Sequence, residues 1–215
     1  MSAKCRICSN ETTILNDPQF QMSYSVCSVC CFIRKNDPSP LTPEEEKAHY
    51  SLHDNTFESK GYVQMFKNFI DKGIRPYSLH KGLALDFGCG PGPVLATLLK
   101  DLGYEVDTYD IHFEPNTGYT EKRYDLITAT EILEHLDDPL PVIMSLKNLL
   151  NQNGVLAFMT RFHSNDPEAF LNWWYRRDKT HISFYTPKTF RYIAEKASLK
   201  ILLTDERDTC ILSRL

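Results

Sequence analysis

Leu85-Asp86-Phe87-Gly88-Cys89-Gly90-Pro91-Gly92-Pro93 decides the fold of this chain. Just before it, Gly82-Leu83-Ala84-Leu85 is a short apolar run of the kind that forms an inner parallel strand, and Asp86 puts a carboxylate at the strand's C-terminal end. Gly88, Gly90 and Gly92 let the backbone turn sharply and approach a ligand with no Cβ in the way. Pro93 suits the first position of a helix, where a missing N–H costs nothing, and Val94 to Lys100 continues with helical apolar spacing. A strand, a glycine turn and a helix in this order bind nucleotide-like ligands. The spacing is G-x-G-x-G, not the G-x-G-x-x-G of dinucleotide dehydrogenases, which disfavours an NAD-dependent dehydrogenase.

Outward from this turn, strand-like and helix-like stretches alternate, the signature of an open parallel α/β sheet. The pattern predicts strands at 83–87, 105–109, 125–129, 154–160, 200–206 and 209–214, with helices near 93–101, 139–150 and 187–197. The last two strands lie so close in sequence that they form an antiparallel hairpin. Asp110 ends the second strand 20 residues beyond Gly90, where an acid is placed to hydrogen-bond a ribose diol.

Before the sheet, Cys5-x-x-Cys8 and Cys27-x-x-Cys30 are separated by 18 residues. Two such knuckles complete a closed tetrahedral zinc site of structural type; the alternative is four buried free cysteines. Residues 1–36 are too few to bury a sufficient core, so metal binding would supply folding free energy. Ser9 and Cys31 stand where zinc ribbons usually carry glycine, and Cys31 is an alternative ligand to Cys30. Asn36-Asp37-Pro38-Ser39-Pro40-Leu41 reads as a proline-broken linker. Thr42-Pro43-Glu44-Glu45 reads as a capped helix start, and Tyr62, Val63, Phe66, Phe69 and Ile70 as a second helix. The organisation expected is a zinc-ribbon-like module at 1–36, a helical connector at 37–80 and an α/β domain at 81–215.

The 24 basic and 28 acidic residues give a net charge of −4, so nothing draws the chain generally to polyanions and a nucleic-acid substrate is disfavoured. No apolar run approaches the roughly 18 residues that span a bilayer, and Met1-Ser2-Ala3-Lys4 is no signal peptide; a cytoplasmic protein is expected.

With these residues in view, the chain resembles the class I S-adenosylmethionine-dependent methyltransferases. Leu85 to Gly92 is similar to their first motif, Tyr109-Asp110 to their second-strand acid, and Tyr124-Asp125-Leu126-Ile127-Thr128-Ala129-Thr130-Glu131 to their fourth-strand motif. Asn151-Gln152-Asn153-Gly154-Val155-Leu156 is similar to the turn before their fifth strand. The resemblance covers roughly residues 60 to 215 and implies a Rossmann-like sheet closed by an antiparallel hairpin. It implies that Gly88, Cys89, Gly90 and Gly92 line the methionine and ribose portion of S-adenosylmethionine, that Asp86 meets the methionine amino group, and that Asp110 meets the ribose hydroxyls. Thr130 and Glu131 fall on the cofactor side of the fourth strand. Ile111 and His112, beside the acid, are the adenine-side candidates. Asp125 comes only 15 positions after Asp110, where the family usually fits a helix and a third strand, so that region is abbreviated.

Glu131-Ile132-Leu133-Glu134-His135 is the second chemical motif. In a helical turn, Glu131, Glu134 and His135 share one face. The segment is similar to the glutamate-x-x-glutamate-histidine element of ubiquinone-pathway and small-RNA O-methyltransferases. That likeness implies a second divalent cation, such as Mg, held by Glu131, Glu134, His135 and the downstream His181, with Lewis-acid activation of a hydroxyl. The alternatives are a packed, capped loop, or His135 or His181 as a metal-free general base.

Residues 161–185 are far longer than an ordinary connection and read as a substrate lid. They carry Phe162, Phe170, Trp173, Trp174, Tyr175, Phe184 and Tyr185 among Arg161, Arg176, Arg177 and Lys179. Such a wall suits an aromatic or anionic small molecule, unless Phe170, Trp173 and Trp174 are one face of a core helix. The function expected is methyl transfer from S-adenosylmethionine to a small-molecule hydroxyl. The alternative is a zinc-ribbon binding protein with a regulatory or vestigial S-adenosylmethionine site.

Overall fold

A computed structural model describes residues 3–36, 38, 41–51, 56–78 and 81–214; most of the linker around Asp37, Ser39 and Pro40 lies outside them. At the N-terminus, Thr13–Asp17 (β1), Met22–Val26 (β2) and Ile33–Lys35 (β3) form an antiparallel meander. Pro43–Tyr50 (α1) follows on a full capping box, Thr42 Oγ1 accepting from Glu45 N at 3.2 Å and Glu45 Oε2 from Thr42 N at 2.8 Å. Lys60–Phe69 (α2) then runs into a π-helical turn, Ile70–Ile74. No helix among the described residues is long and apolar enough to cross a membrane.

The main sheet is built from Leu83–Phe87 (β4), Glu105–Tyr109 (β5), Tyr124–Thr130 (β6) and Leu150–Met159 (β7), all parallel to one another. Leu199–Thr204 (β9) and Thr209–Arg214 (β10) close it as an antiparallel hairpin. Between β7 and β9 the chain forms Pro167–Asn172 (α5), the short strand Ser183–Phe184 (β8) and Pro187–Ala197 (α6). Val94–Asp101 (α3) and Pro139–Asn148 (α4) are the earlier crossover helices. The sheet order is β5-β4-β6-β7-β10-β9, so the chain moves outward from β4 to β5 and then crosses to the other side at β6. That reversal leaves a crevice beyond the C-terminal end of β4, where ligands of such sheets bind.

The period-2 alternation of the strands sorts side chains onto two faces. Leu85, Ile127, Ala129, Leu156, Phe158 and Leu212 pack beneath α4 and α6, against Ile143, Leu146, Phe190 and Ile193. Ala84, Leu126, Val155, Ala157 and Ile211 pack on the other face against Phe66 and Phe69 of α2 and Val94, Leu95 and Leu99 of α3. Both faces are covered, which is why these strands read as nearly continuous apolar runs.

Several expected boundaries move. Pro93 is the residue before α3, not its first, with φ −74° and ψ 61°. The fourth strand of the main sheet, β7, begins at Leu150, not at Gly154. Its first residues include Asn153 at φ 67° and break register with β6. Between Asp110 and Tyr124 there is a 3-10 turn, Thr117–Glu121, and no strand, as the short spacing required.

The 161–185 segment is not a free lid. Its strand β8 pairs antiparallel with β3, Ile33 opposite Phe184, so the N-terminal sheet has the order β1-β2-β3-β8. Tyr24, Ile33, Phe170, Tyr175 and Phe184 form a small core between them. Arg176 is buried there and pairs with Asp17 of β1 at 2.5 Å, so it is no substrate-facing cation.

Candidate functional site

The glycine turn forms because Gly88 and Gly90 take φ of 84° and 65°, a region open to glycine; Gly92 has no such value. A Cβ at Gly88 would lie 2.1 Å from Ile132 Cδ1, so the position is also sterically reserved. Asp110 ties the turn to the end of β5: its Oδ2 accepts from Gly90 N at 3.0 Å, and its Oδ1 from His112 N and Phe113 N at 2.8 and 3.1 Å. Asp86, at the end of β4, is buried and accepts from Thr128 Oγ1 at 2.9 Å. Burial outweighs that bond and pushes its carboxyl up to about 6.

These groups line one cavity of about 590 Å³. Asp86, Gly88, Cys89, Gly90, Gly92, Asp110, Ile111, His112 and Thr130 lie on its wall, as do Glu131, His135 and His181. Ile111 is 69% exposed, an apolar side chain left open beside the acid. Glu134 sits behind the wall, fully buried.

Glu131 does not begin a helical turn. Its backbone is left-handed, φ 53°, and the 3-10 turn starts only at Leu133. Tyr175 joins the two glutamates instead, its hydroxyl 2.6 Å from Glu134 Oε1 and 3.2 Å from Glu131 Oε2. One phenolic proton cannot serve both acceptors. The shorter contact, to Glu134, takes that proton, and burial and the charge of Glu134 push Glu131 well above the ordinary carboxylate range. His181 Nδ1 stands 2.8 Å from the Tyr175 carbonyl, and His135 Nδ1 stands 3.1 Å from that of Thr180. A carbonyl only accepts, so each Nδ1 carries the proton and each Nε2 the lone pair. Burial pulls His181 below the ordinary histidine range, which favours this neutral form.

One donor atom from each of Glu134, His135 and His181 lies within 4.8 Å of the others; Glu131 is outside that group. The second oxygen of Glu134 is buried without a hydrogen-bond partner. A carboxylate and two imidazoles with such an orphaned oxygen suit a divalent cation.

The sulfurs of Cys5, Cys8, Cys27 and Cys30 converge in the same way, with Cys5–Cys30 at 3.5 Å and Cys8–Cys27 at 3.4 Å. A tetrahedron with bonds of about 2.3 Å needs sulfurs roughly 3.7 Å apart, so the set is compatible with zinc. Ile7 N and Cys30 N donate to Cys5 Sγ and Cys27 Sγ, supporting thiolate character. Cys30, and not Cys31, belongs to this converging set. Ser9 and Cys31, in the usual glycine places, still adopt φ of 61° and 62°.

Sequence reasoning passed over several cavity residues. Glu46 and Tyr50 of α1 cross the opening, with Glu46 Oε2 3.3 Å from His112 Nε2 and the Tyr50 hydroxyl 3.2 Å from His135 Nδ1. Tyr62, Met65 and Phe66 of α2 form an apolar side. Only a helix of no buried residues, α1, hinted at this use, since such a helix has no core to serve. Arg161 lies with its guanidinium carbon 5.3 Å from the Trp174 ring centre, and Trp174 is 60% exposed.

Residues 66–204 match the family model described as a methyltransferase domain. Among curated proteins, the chain is 35% identical over 80 residues to the ubiquinone biosynthesis O-methyltransferase of Histophilus somni, covering 35% of this chain and 34% of that one. It is 26% identical over 160 residues to its counterpart in Nitrosomonas europaea, covering 63% and 66%. The chain thus spans from a third to two thirds of the length of these relatives. Among solved structures it resembles magnesium protoporphyrin IX methyltransferase from Synechocystis PCC 6803 with bound SAH, TM-score 0.58 at 15% identity, over 81% of this chain and 95% of that one. It also resembles mitomycin 7-O-methyltransferase, TM-score 0.57 at 12% identity, over 81% and 58%. The strand order, the glycine turn and the family match over most of the chain converge: this protein belongs to the methyltransferase-domain family and has the class I S-adenosylmethionine-dependent methyltransferase fold.

Proposed function

We propose that this protein transfers the methyl group of S-adenosylmethionine to a hydroxyl oxygen of a small molecule. The observation that carries this reading is the shared cavity. Its glycine turn and Asp110 face its acid and histidine groups, Glu131, His135 and His181, across one enclosed space. S-adenosylmethionine supplies an electrophilic methyl on a sulfonium, so the protein's main task is to align an acceptor with it.

In this reading Gly88, Cys89, Gly90 and Gly92 give the cofactor close backbone approach. Asp86 takes the methionine ammonium and Asp110 the ribose hydroxyls, with Ile111 and His112 on the adenine side. Thr130 and Glu131 floor the transition between halves. His181 or His135 accepts the hydroxyl proton at Nε2, the lone-pair nitrogen. Alternatively, those Nε2 lone pairs of His135 and His181, with Glu134, would hold a divalent cation, which would lower the pKa of the accepting hydroxyl. Cys5, Cys8, Cys27 and Cys30 would hold structural zinc. Among the described residues, Arg161 is the only arginine or lysine on the cavity wall, beside Glu46, Asp86, Asp110, Glu131 and Asp178. Beside Trp174, it suits an acceptor with a flat ring and a carboxylate or phosphate.

Calorimetry with S-adenosylhomocysteine tests the cofactor half. Asp110→Ala and Gly90→Val should each weaken binding about tenfold or more, the loss of a charge-assisted hydrogen bond or a steric block. Unchanged affinity in both would overturn the assignment. A metabolite screen with labelled S-adenosylmethionine identifies the acceptor, and binding without turnover across the screen would instead favour a regulatory site. Turnover abolished by chelation while the fold persists supports the second cation, whereas indifference to chelation leaves the histidine as base alone.

A further inference from the structure

The acceptor side of the cavity is carried by one stretch of chain, the insert between β7 and α6, which supplies Trp174, Tyr175, Asp178 and His181. No long helix supports this stretch: α5 has six residues, a single 3-10 turn follows at Trp174–Arg177, and β8 has two residues. Ile182 N and Ser183 Oγ bond it to the Glu134 and Leu136 carbonyls after β6, and the rest of its support comes from the N-terminal module. Strand β8 hydrogen-bonds to β3. Lys35 N donates to Ile182 O at 2.8 Å, extending that pairing by one residue. Arg176 reaches the module with its guanidinium fully enclosed: Nη1 donates to Asp17 Oδ2 at 2.5 Å, and Nε to the Phe170 and Leu171 carbonyls at 3.0 and 2.8 Å. The same side chain therefore closes the end of α5 and anchors the turn in which its neighbours Trp174 and Tyr175 face the cavity. His163 Nε2, at the start of the insert, donates to the Cys31 carbonyl at 2.9 Å.

The cofactor side shares none of these supports. Asp86, Gly90 and Asp110 are held by β4, β5 and β6 and by bonds among themselves.

We propose that Asp17 and Arg176 are positioning residues for methyl transfer, and that the four-cysteine module serves as the scaffold of the acceptor wall. Neither residue touches the cavity. Removing their pairing frees the turn that presents Trp174 and Tyr175, and through Tyr175 the alignment of Glu131 and Glu134, while the cofactor half keeps its shape. Naming this half the acceptor side rests on the methyl-transfer reading; the mechanical coupling of module to wall does not.

Both tryptophans of the chain, Trp173 and Trp174, lie in the coupled turn, so intrinsic fluorescence reports on it directly. In full-length Asp17→Ala protein, tryptophan emission should move to the red and acrylamide quenching should rise. Affinity for S-adenosylhomocysteine should stay within about twofold of wild type, well under the tenfold that 1.4 kcal/mol represents. Asp17→Glu should restore the wild-type spectrum, because it returns the carboxylate. A folded Asp17→Ala protein with unchanged emission and quenching overturns the proposal. So does a loss of cofactor affinity in step with the spectral change, which marks general loosening. Should Asp17→Ala not fold, hydrogen exchange of the wild-type protein decides. Amides of β2, β3 and residues 170–184 exchanging as one unit support the coupling, and exchange of 170–184 independent of the module overturns it. If cofactor affinity is absent from wild type while the spectral coupling holds, the methyl-transfer reading fails and the scaffold role stands.

Discussion

Asp86 and His163 show how burial writes pH dependence into single residues. Asp86 has its carboxyl pushed up to about 6, so it loses its charge as pH falls below that value. A cationic ammonium binds the charged form, so affinity for S-adenosylhomocysteine should fall about tenfold per unit below pH 6, and Asp86→Asn should remove that slope. His163 goes the other way, burial pulling its imidazole down to about 4 despite the Cys31 carbonyl. Between pH 6.5 and 4 the unfolded chain takes up a proton there that the folded chain refuses, so this residue's contribution to stability falls as pH falls, by about 3 kcal/mol in all. At pH 7, His163→Asn should cost about 1 to 2 kcal/mol for its lost bonds, and urea unfolding should show the gap to wild type shrinking or reversing near pH 4.5. At this scale the sequence was informative wherever a residue's use is local. Asp110, Gly88 and Gly90 are legible from spacing because a tight turn needs glycine and a nearby acid. Arg176 was not, since an arginine beside two tryptophans looks solvent-facing until its partner, 159 residues away, is known.

Among the elements, α6 and β4 show what local pattern can fix. Thr186 and Pro187 announce the helix at Pro187–Ala197, and the apolar run announces the strand at Leu83–Phe87. Pairing of β8 with β3 has no such signal: two residues encode no register, and the match comes from packing Phe184 against Tyr24 and Phe170. Glu131 also escaped local reading, because the left-handed backbone that breaks its helical spacing is imposed where β6 ends. Helix α1 rests on its capping box and on polar and ring contacts, with no fully buried residue. Thr42→Ala should therefore cost about 1 kcal/mol at that helix alone, seen as faster hydrogen exchange across 43–50 with the melting temperature scarcely moved.

At the level of the whole molecule, one apolar cluster runs from the cysteine module through Tyr185 and Phe190 into the sheet at Phe158 and Leu212. Thr189 Oγ1 adds a bond to the Cys30 carbonyl at 2.9 Å. Phe190→Ala, fully buried at this junction, should cost about 3 to 5 kcal/mol and lower one cooperative melting transition instead of splitting it in two. The short run from Asp110 to Tyr124, which leaves the sheet without a further strand, also puts β5 at one of its two edges. An outer strand is where a sheet recruits another chain and begins to aggregate. Here that strand has five residues, among them Glu105 and Asp107, and the 3-10 turn Thr117–Glu121 packs beside it as Lys122 and the Tyr124 hydroxyl reach Asp107. The segment that shortens the fold thus stoppers its own border, and lengthening β5 while removing those charges should turn a closed margin into a seed for fibrils.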